Sequence, residues 1–277
     1  MQTFYLQSPR SPFCLVDSAA SAILVFLRSL RNMKFRILFL FIIGSFFCQI
    51  FATTWGLGDI TCPICDTVNS FYVVFSYGSY IYQWESKYQF VFWPMTDPQS
   101  LYCCKNCRFT CFMGEFEAVP EDKHEKIRST LDSLDFSDWP EDYLQIPMSD
   151  RLMVAEKMYT VIGQDDESWC HFYRIKGYHL QAEEKLDEAK AARLHALELV
   201  QKMMEYKINK GRLKELYLIS GAMKYYTDDK EGALQDFKKA QKLTFKNDKV
   251  DEVQLKQYND YLNGLLEDYV TKIEESK

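Results

Sequence analysis

The sequence predicts an α+β protein that is mostly α-helical, with a small β-rich segment followed by an α-helical repeat domain. Three observations lead to this prediction. Two CxxC motifs, at residues 62–65 and 104–107, enclose a segment rich in aromatic and β-branched residues. After Met148 the chain contains no proline, and amphipathic patterns typical of helices continue to its end. Within these patterns, a set of aromatic and small residues recurs at a spacing of 44 residues.

Residues 1–52 have the composition of an N-terminal targeting segment. Lys34 and Arg36 precede an apolar stretch at residues 37–47, and the small residue Ala52 follows. A short basic start, an apolar region and a small residue at its end are the parts of a secretory signal peptide. We therefore expect translation to start at Met33, with the residues before it an N-terminal extension, and cleavage to occur near Ala52. The mature protein would then be periplasmic or secreted, in a bacterium.

An alternative is that residues 37–52 remain as an uncleaved membrane anchor. This stretch is short for a spanning helix, which needs about 20 residues, so it would have to be extended. Export also bears on the cysteines, because thiols outside the cytosol are oxidised to disulfides. In both cases only this segment is expected to contact a membrane.

The charge of the chain argues against a nucleic-acid partner. The net charge is −6, and the first 52 residues hold five of the 33 basic side chains but only one of the 39 acidic ones. The remainder is therefore more acidic than the whole. A protein that binds duplex nucleic acid needs a basic face to displace the phosphate counterions. We expect no nucleic-acid partner.

Residues 53–118 have the pattern of a zinc ribbon. Two CxxC motifs separated by 38 residues can bring four thiolates to one tetrahedral ion, with Zn–S bonds of about 2.3 Å. Runs typical of strands lie between the motifs at residues 71–75 and 88–93. Four cysteine ligands leave no open coordination position, so the ion would support folding and not catalysis. The expected ligands of this structural Zn²⁺ are Cys62, Cys65, Cys104 and Cys107.

Two other uses of these cysteines stay open at the level of sequence. In the first, Cys103 and Cys111 join the four in a disulfide knot, whose connectivity the sequence does not rank. In the second, Cys62 and Cys65 form a redox-active pair. Redox-active CxxC motifs typically lie at the N-terminus of a helix, where the thiol pKa is lowered. Residues typical of a strand follow Cys65 instead. The sequence assigns no role to Cys170.

An acidic linker punctuated by prolines, residues 119–147, is expected to join the ribbon to a helical domain at residues 148–277. The apolar periodicity of this domain predicts five or six helices. Polar breaks between them lie near residues 163–166, 209–211, 227–229 and 247–248.

Two units of a helical repeat can be aligned on their glycines. Tyr173, Gly177, Ala189 and Ala196 in the first unit recur as Tyr217, Gly221, Ala233 and Ala240 in the second. The pattern resembles the tetratricopeptide signature, in which small residues let two antiparallel helices approach closely. Arg193 in the first unit occupies the position of Phe237 in the second. Such a repeat offers a groove for a protein or peptide partner, and the alternative is a plain helical domain that covers the ribbon.

No catalytic constellation stands out in the sequence. Paired acids such as Glu183 and Glu184 are typical of solvated helix faces, because an acid–base dyad requires convergence in space. The histidines share no short ligand spacing, so we expect packed or surface imidazoles. These histidines are His124, His171, His179 and His195. We therefore expect a protein that is not an enzyme.

The order of these motifs resembles the bacterial family catalogued as domain of unknown function 2225. Its members pair a CPxC knuckle with a later CPxCGY-like knuckle and continue into tetratricopeptide-like helices. The matching residues are Cys62-Pro63-Ile64-Cys65, then Asp97, Pro98 and Tyr102 ahead of Cys104-Lys105-Asn106-Cys107-Arg108-Phe109, and Phe112 after them. The resemblance covers residues 59–246, with Lys105 and Arg108 in place of a proline and a glycine. It implies a zinc ribbon packed on a helical repeat, and it assigns no activity.

The sequence thus favours an exported, non-enzymatic interaction module with a structural zinc ion and a protein or peptide partner on the helical repeat face. Two competing classes make different predictions. An exported CxxC thiol–disulfide oxidoreductase requires a reactive thiol of low pKa at Cys62 or Cys65. A disulfide-locked structural envelope protein would hold no metal and no free thiols.

Overall fold

Two β-hairpins and seven α-helices form the described part of the chain, residues 54–76, 89–91 and 94–276 of a computed structural model. The predicted α+β class with mostly α content is confirmed. The predicted signal peptide, its alternative as a membrane anchor and the start at Met33 lie outside the described residues. None of the described helices combines the length and apolar composition that crossing a membrane requires.

Each CxxC motif forms the connection of its own antiparallel hairpin. Strand β1 (Thr54–Thr61) pairs with β2 (Val68–Ser76), and β3 (Leu101–Cys103) pairs with β4 (Thr110–Phe112). The strand predicted at residues 71–75 lies within β2. Two strands do lie between the motifs in sequence, but each pairs with a strand on the far side of its own motif.

The strand predicted at residues 88–93 is wrong for the part that the structure describes. Gln89, Phe90 and Val91 form no strand, and Phe90 has a left-handed backbone with a φ of 53°. Their aromatic and β-branched composition favours a strand locally. Tertiary packing overrides this preference, because Phe90 is buried in the apolar core of the helical region.

The helices follow the hairpins in chain order. They are α1 (His124–Asp132), α2 (Met148–Ile162), α3 (Asp166–Ala182), α4 (Leu186–Glu205), α5 (Leu213–Tyr225), α6 (Lys230–Gln241) and α7 (Glu252–Glu275). Six of them lie in the described part of residues 148–277, within the predicted number. Gly163, with a φ of 86°, ends α2 at a predicted break. Asp165, Asp229 and Asp251 accept backbone N–H bonds that cap α3, α6 and α7.

The segment expected as an acidic linker contains helix α1 and short 3₁₀ turns. Ile127 and Leu131 of α1 are buried in the same apolar cluster as the hairpins. The Nε atom of Arg128 donates to the carbonyl oxygen of Ile64 at 2.9 Å. Helix α1 therefore packs directly against the first CxxC motif.

Within the described residues, two large apolar clusters and a small one at Leu180, Ala189 and Ala192 stabilise the fold. The first joins the hairpins to α1, α2 and α3, and in it the Phe71 ring stacks on Tyr102 with centroids 4.2 Å apart. Arg151 of α2 ties the helix to the second hairpin, because its Nη1 donates to the Leu101 carbonyl at 2.7 Å. The second cluster is formed mainly by α4–α7 and includes Phe90. The hairpins thus share a core with the first helices of the repeat region.

The two aligned repeat units form the helical hairpins α3–α4 and α5–α6. A Cβ atom at Gly177 would lie 2.9 Å from Cγ of Arg193, and one at Gly221 would lie 2.4 Å from Cε1 of Phe237. The absence of a Cβ atom at each glycine therefore leaves room for a side chain of the facing helix, Arg193 or Phe237. The predicted equivalence of Arg193 and Phe237 is confirmed, since both fill the same place in their units.

We expect Gly221→Ala to destabilise the protein by about 2 kcal/mol, because the added methyl group would overlap the Phe237 ring. Gly264→Ala is the matched control, since no atom beyond its chain neighbours and the backbone of its own helix turn lies within 4 Å of the position its Cβ would take. There the helix propensity of alanine should stabilise α7 by about 0.5–1 kcal/mol. Urea unfolding measures both free energies of unfolding. Equal values would contradict the close approach of α5 and α6.

Candidate metal centre

The two CxxC motifs have the same backbone geometry. In each, the amide of the first cysteine donates to a carbonyl across the hairpin, and the residue after the second cysteine donates back to the first cysteine. The four bonds are Cys62 N to Thr67 O at 2.9 Å, Asp66 N to Cys62 O at 3.0 Å, Cys104 N to Phe109 O at 2.9 Å and Arg108 N to Cys104 O at 3.0 Å. Each tight turn directs its two cysteine side chains to one side.

The residue that closes each motif has a left-handed backbone. Asp66 has a φ of 58° and Arg108 a φ of 64°, in the region that glycine adopts most easily. A glycine would adopt this geometry without strain at either position. Arg108 is held there by its side chain, which is buried and donates from Nη1 to Pro140 O and from Nη2 to Trp139 O, both at 2.8 Å.

Two substitutions at Arg108 should separate its backbone strain from its side-chain bonds. Arg108→Ala removes both guanidinium bonds and keeps a Cβ atom in the left-handed region, so we expect a loss of about 3 kcal/mol. Arg108→Gly loses the same bonds but relieves about 1 kcal/mol of that strain. Thermal unfolding of the two variants measures the difference. An alanine variant at least as stable as the glycine variant would contradict the strained backbone.

The four predicted ligand residues come together in the structure. The sulfur atoms of Cys62, Cys65, Cys104 and Cys107 all lie within 4.8 Å of one another. The Sγ atoms of Cys62 and Cys107 are 3.6 Å apart, as are those of Cys65 and Cys104. In a tetrahedral site with metal–sulfur bonds of about 2.3 Å, neighbouring sulfurs are about 3.8 Å apart. The cluster therefore has the dimensions of a four-cysteine metal site.

Crowding four thiols together makes their protonation states unequal. Hydrogen bonds from Cys107 and Cys62 to the Cys104 sulfur hold the pKa of Cys104 far below its usual value. The same contacts with Cys104 and Cys62 raise the pKa of Cys107 well above its usual value. The contact with Cys104 also raises the pKa of Cys62, to about 12. A divalent cation removes this conflict, because it stabilises all four thiolates at once.

Asn69 is a buried polar residue beside the cluster that sequence reasoning missed. Its Nδ2 lies 3.6 Å from the Cys104 sulfur and also donates to Thr67 O at 2.9 Å. Its Oδ1 accepts the amide of Lys105 at 2.9 Å. Asn69 therefore links the first hairpin to the second motif and supports a thiolate at Cys104. The available signal was an amide side chain four positions after Cys65, in a strand made mainly of aromatic and β-branched residues.

All seven cysteines in the described residues are free thiols. Cys103 faces Thr110 and Cys111 faces Tyr102 across the second hairpin, so strand alternation places the two cysteines on opposite faces. Burial raises the pKa of the Cys103 thiol to about 11. Cys170 is buried in α3 and donates to Ala196 O at 3.6 Å. The four-sulfur cluster forms without these three.

A cleft of about 360 Å³ opens beside the cluster. Cys65 and Cys107 line it and are half-buried, whereas Cys62 and Cys104 are fully buried. Leu131 of α1 lines the cleft as well. Two of the four cysteines of the cluster therefore border the cleft, and the other two do not.

The histidines take no part in this centre. Burial lowers the pKa of His171 to about 3 and that of His179 to about 4, so both imidazoles are neutral near pH 7. The Nε2 atom of His179 lies 2.8 Å from Met95 O. Within the described residues, the four-cysteine cluster is the one group of side chains suited to hold a metal ion.

No protein-family model, curated protein or solved structure matches this chain. The geometry of the centre and of the helical region is therefore the basis for assigning a function to this chain.

Proposed function

We propose that this chain is an exported, non-enzymatic interaction protein, in which a structural zinc ion organises two hairpins beside a tetratricopeptide-like helical repeat. The main observation in support is that the sulfurs of four cysteines lie close enough together to bind one metal ion. Four thiolates complete a tetrahedral coordination shell, so no position is left for water or a substrate. A metal bound there would contribute to folding.

Zinc is favoured by the donor set. Four thiolates in tetrahedral geometry suit Zn²⁺ or iron and do not suit Mg²⁺ or Ca²⁺, which prefer oxygen ligands. The hairpin turns already place the sulfurs at near-tetrahedral spacing. Elemental analysis of the purified protein distinguishes zinc from iron.

The helical region supports the proposed interaction role. Its second repeat unit, part of α4 and the following helix α7 share one apolar core, in which Ala233, Phe237 and Ala240 are fully buried. Stacked helical hairpins of this kind present extended faces on which other repeat proteins bind partners. A protein or peptide is therefore the partner that we propose.

The decisive experiment measures zinc per chain and counts free thiols under denaturing conditions, on residues 53–277 purified after export. We expect about one zinc per chain, with four thiols that react only after chelation. No metal together with few free thiols would overturn the zinc centre and favour a disulfide-locked envelope protein. A peptide library screened on the same protein tests the interaction role.

An exported thiol–disulfide oxidoreductase is the second candidate, because Cys65 and Cys107 reach the cleft. Burial opposes a low pKa at Cys65, but the Thr67 hydroxyl and amide outweigh it and lower that pKa. Both motifs lie in hairpin turns, however, and not at a helix N-terminus. Insulin reduction above background by the zinc-free protein would favour this candidate over a structural centre.

A further inference from the structure

Part of the chain itself occupies a groove in the helical region. Phe90 is 1% exposed and lies between the first helical hairpin and α7. The guanidinium carbon of Arg174, from α3, is 5.3 Å from the centre of the Phe90 ring. Tyr261 of α7 contacts the same ring at a centroid distance of 6.2 Å. The groove therefore holds an aromatic side chain that comes from outside the helices.

The residue before it, Gln89, bonds to a buried arginine. Nη2 of Arg193, from α4, donates to Gln89 Oε1 at 3.1 Å and also to the Gln181 side chain. The Arg193 guanidinium carbon lies 4.8 Å from the centre of the Tyr226 ring. Arg193 is 3% exposed, and all of these partners are neutral. The Gln89 amide supplies an acceptor but no negative charge.

The positive charge in this groove is not balanced by the described part of the chain. Arg174 is 5% exposed, and its Nε and Nη2 atoms have no hydrogen-bond partner; the Nε of Arg193 also has none. Neither arginine forms an ion pair with a described carboxylate. Burial raises the pKa of the neighbouring Cys170 thiol, and the charges of Glu167 and Glu215 raise it further. Both of these carboxylates form ion pairs with Arg212. Burying an unpaired cation is costly, so the groove favours an anion.

The guanidinium groups of Arg174 and Arg193 both lie near Tyr269. Burial and neighbouring phenols raise the pKa of Tyr269 in α7, while Arg174 and Arg193 both act to lower it. Both cations are therefore close enough to this one side chain to influence it. Two adjacent residues of the chain already contact both, because Gln89 bonds to Arg193 and the Phe90 ring lies beside Arg174, so a single short ligand can reach both.

The backbone at Phe90 is strained. A φ of 53° is rare for a bulky side chain and costs free energy that the surrounding contacts must offset. The in-chain segment is thus held in the groove by its side-chain contacts and against its backbone preference. A ligand without this strain would bind with an advantage.

We propose that the groove formed by Arg174, Arg193, Tyr226, Tyr261 and Tyr269 binds a peptide in which a carboxylate side chain precedes an aromatic one, and that Gln89 and Phe90 are a neutral in-chain mimic of it. This inference rests on the proposed interaction function and specifies the partner. Glutamate has the shape of glutamine and adds the missing charge. The carboxylate of such a ligand would accept hydrogen bonds from Arg193 and Arg174, and its ring would occupy the Phe90 site.

Two labelled peptides test the proposal on the full chain by fluorescence polarisation. Both are acetylated and amidated, with the sequences Tyr-Glu-Phe-Val-Phe and Tyr-Gln-Phe-Val-Phe. We expect Phe90→Ala to bind the Glu peptide at least about tenfold more tightly than the wild type, since the in-chain competitor is lost. In that variant the Glu peptide should bind at least about tenfold more tightly than the Gln peptide. Adding Arg193→Gln should abolish this preference.

Gln89→Glu provides an independent test that keeps Phe90 in place. Its carboxylate should pair with Arg193, raise the melting temperature and weaken binding of the Glu peptide by about tenfold. A melting temperature that is unchanged or lower would overturn the charge argument. This measurement remains decisive even if Phe90→Ala fails to fold.

The outcomes separate this inference from the proposed function. Peptide-library binders that lack acidic residues and tolerate Arg193→Gln would overturn the inference and leave the interaction role standing. Absence of any binder from a folded, zinc-loaded Phe90→Ala variant would overturn both.

Discussion

Cys104→Ser is expected to abolish zinc binding and to unfold the two hairpins. The Cys104 sulfur lies 3.6 Å from the Cys65 sulfur and accepts a hydrogen bond from Asn69 Nδ2, so its removal affects both motifs. Structural zinc supplies on the order of 10 kcal/mol of folding free energy in small cysteine sites. Elemental analysis should show less than a tenth of the wild-type zinc, and the near-ultraviolet circular dichroism of the packed Phe71 and Tyr102 rings should be lost.

Cys103→Ser is the matched control, because it makes the same change at the adjacent residue. Cys103 is buried, but its sulfur lies 3.9 Å from two backbone carbonyl oxygens and is outside the four-sulfur cluster. It should keep the full zinc content and lose about 1 kcal/mol of stability at most. Unchanged zinc and unchanged melting in Cys104→Ser would refute the metal centre.

Phe237→Ala should destabilise the helical region by about 4 kcal/mol. The Phe237 ring is fully buried, stacks on Tyr269 with centroids 4.6 Å apart and fills the space above Gly221. Its removal leaves a cavity that α5 and α6 cannot close without moving. Denaturant unfolding followed by far-ultraviolet circular dichroism measures the loss.

Phe75→Ala is the matched control for the same chemical change, since Phe75 is 68% exposed on β2. We expect a loss below about 0.5 kcal/mol there. The cost of Gly221→Ala should also fall in the Phe237→Ala background, because the two positions share one space. A loss at Phe237 no larger than at Phe75 would contradict the packing of the second unit.

The candidate metal centre was predicted only in part from local sequence patterns. The CxxC spacing predicted which four sulfurs would meet, because a short loop directs two side chains to one side whatever surrounds it. The same spacing did not predict which strands pair. Each motif closes its own hairpin, the partner of β2 is β1, and the described residues 89–91 form no strand. Pairing depends on contacts between segments that are far apart in sequence.

The supporting residues of the centre could not be predicted for the same reason. Asn69 reaches the second motif through a contact between two hairpins. Arg108 is held in a left-handed conformation by carbonyl groups of residues 139 and 140. No local pattern places these groups beside one another.

The sequence by itself determined the helical region that begins at Met148, the two tight cysteine turns and the small residues at which the helices approach. These features depend on periodicity, capping and side-chain size, which act within a few residues. Only the tertiary structure decided the hairpin pairing, the attachment of α1 to the first motif and the burial of Phe90 between Arg174 and Tyr261. At Phe90 the gain from burying an aromatic ring exceeded the local preference for a strand.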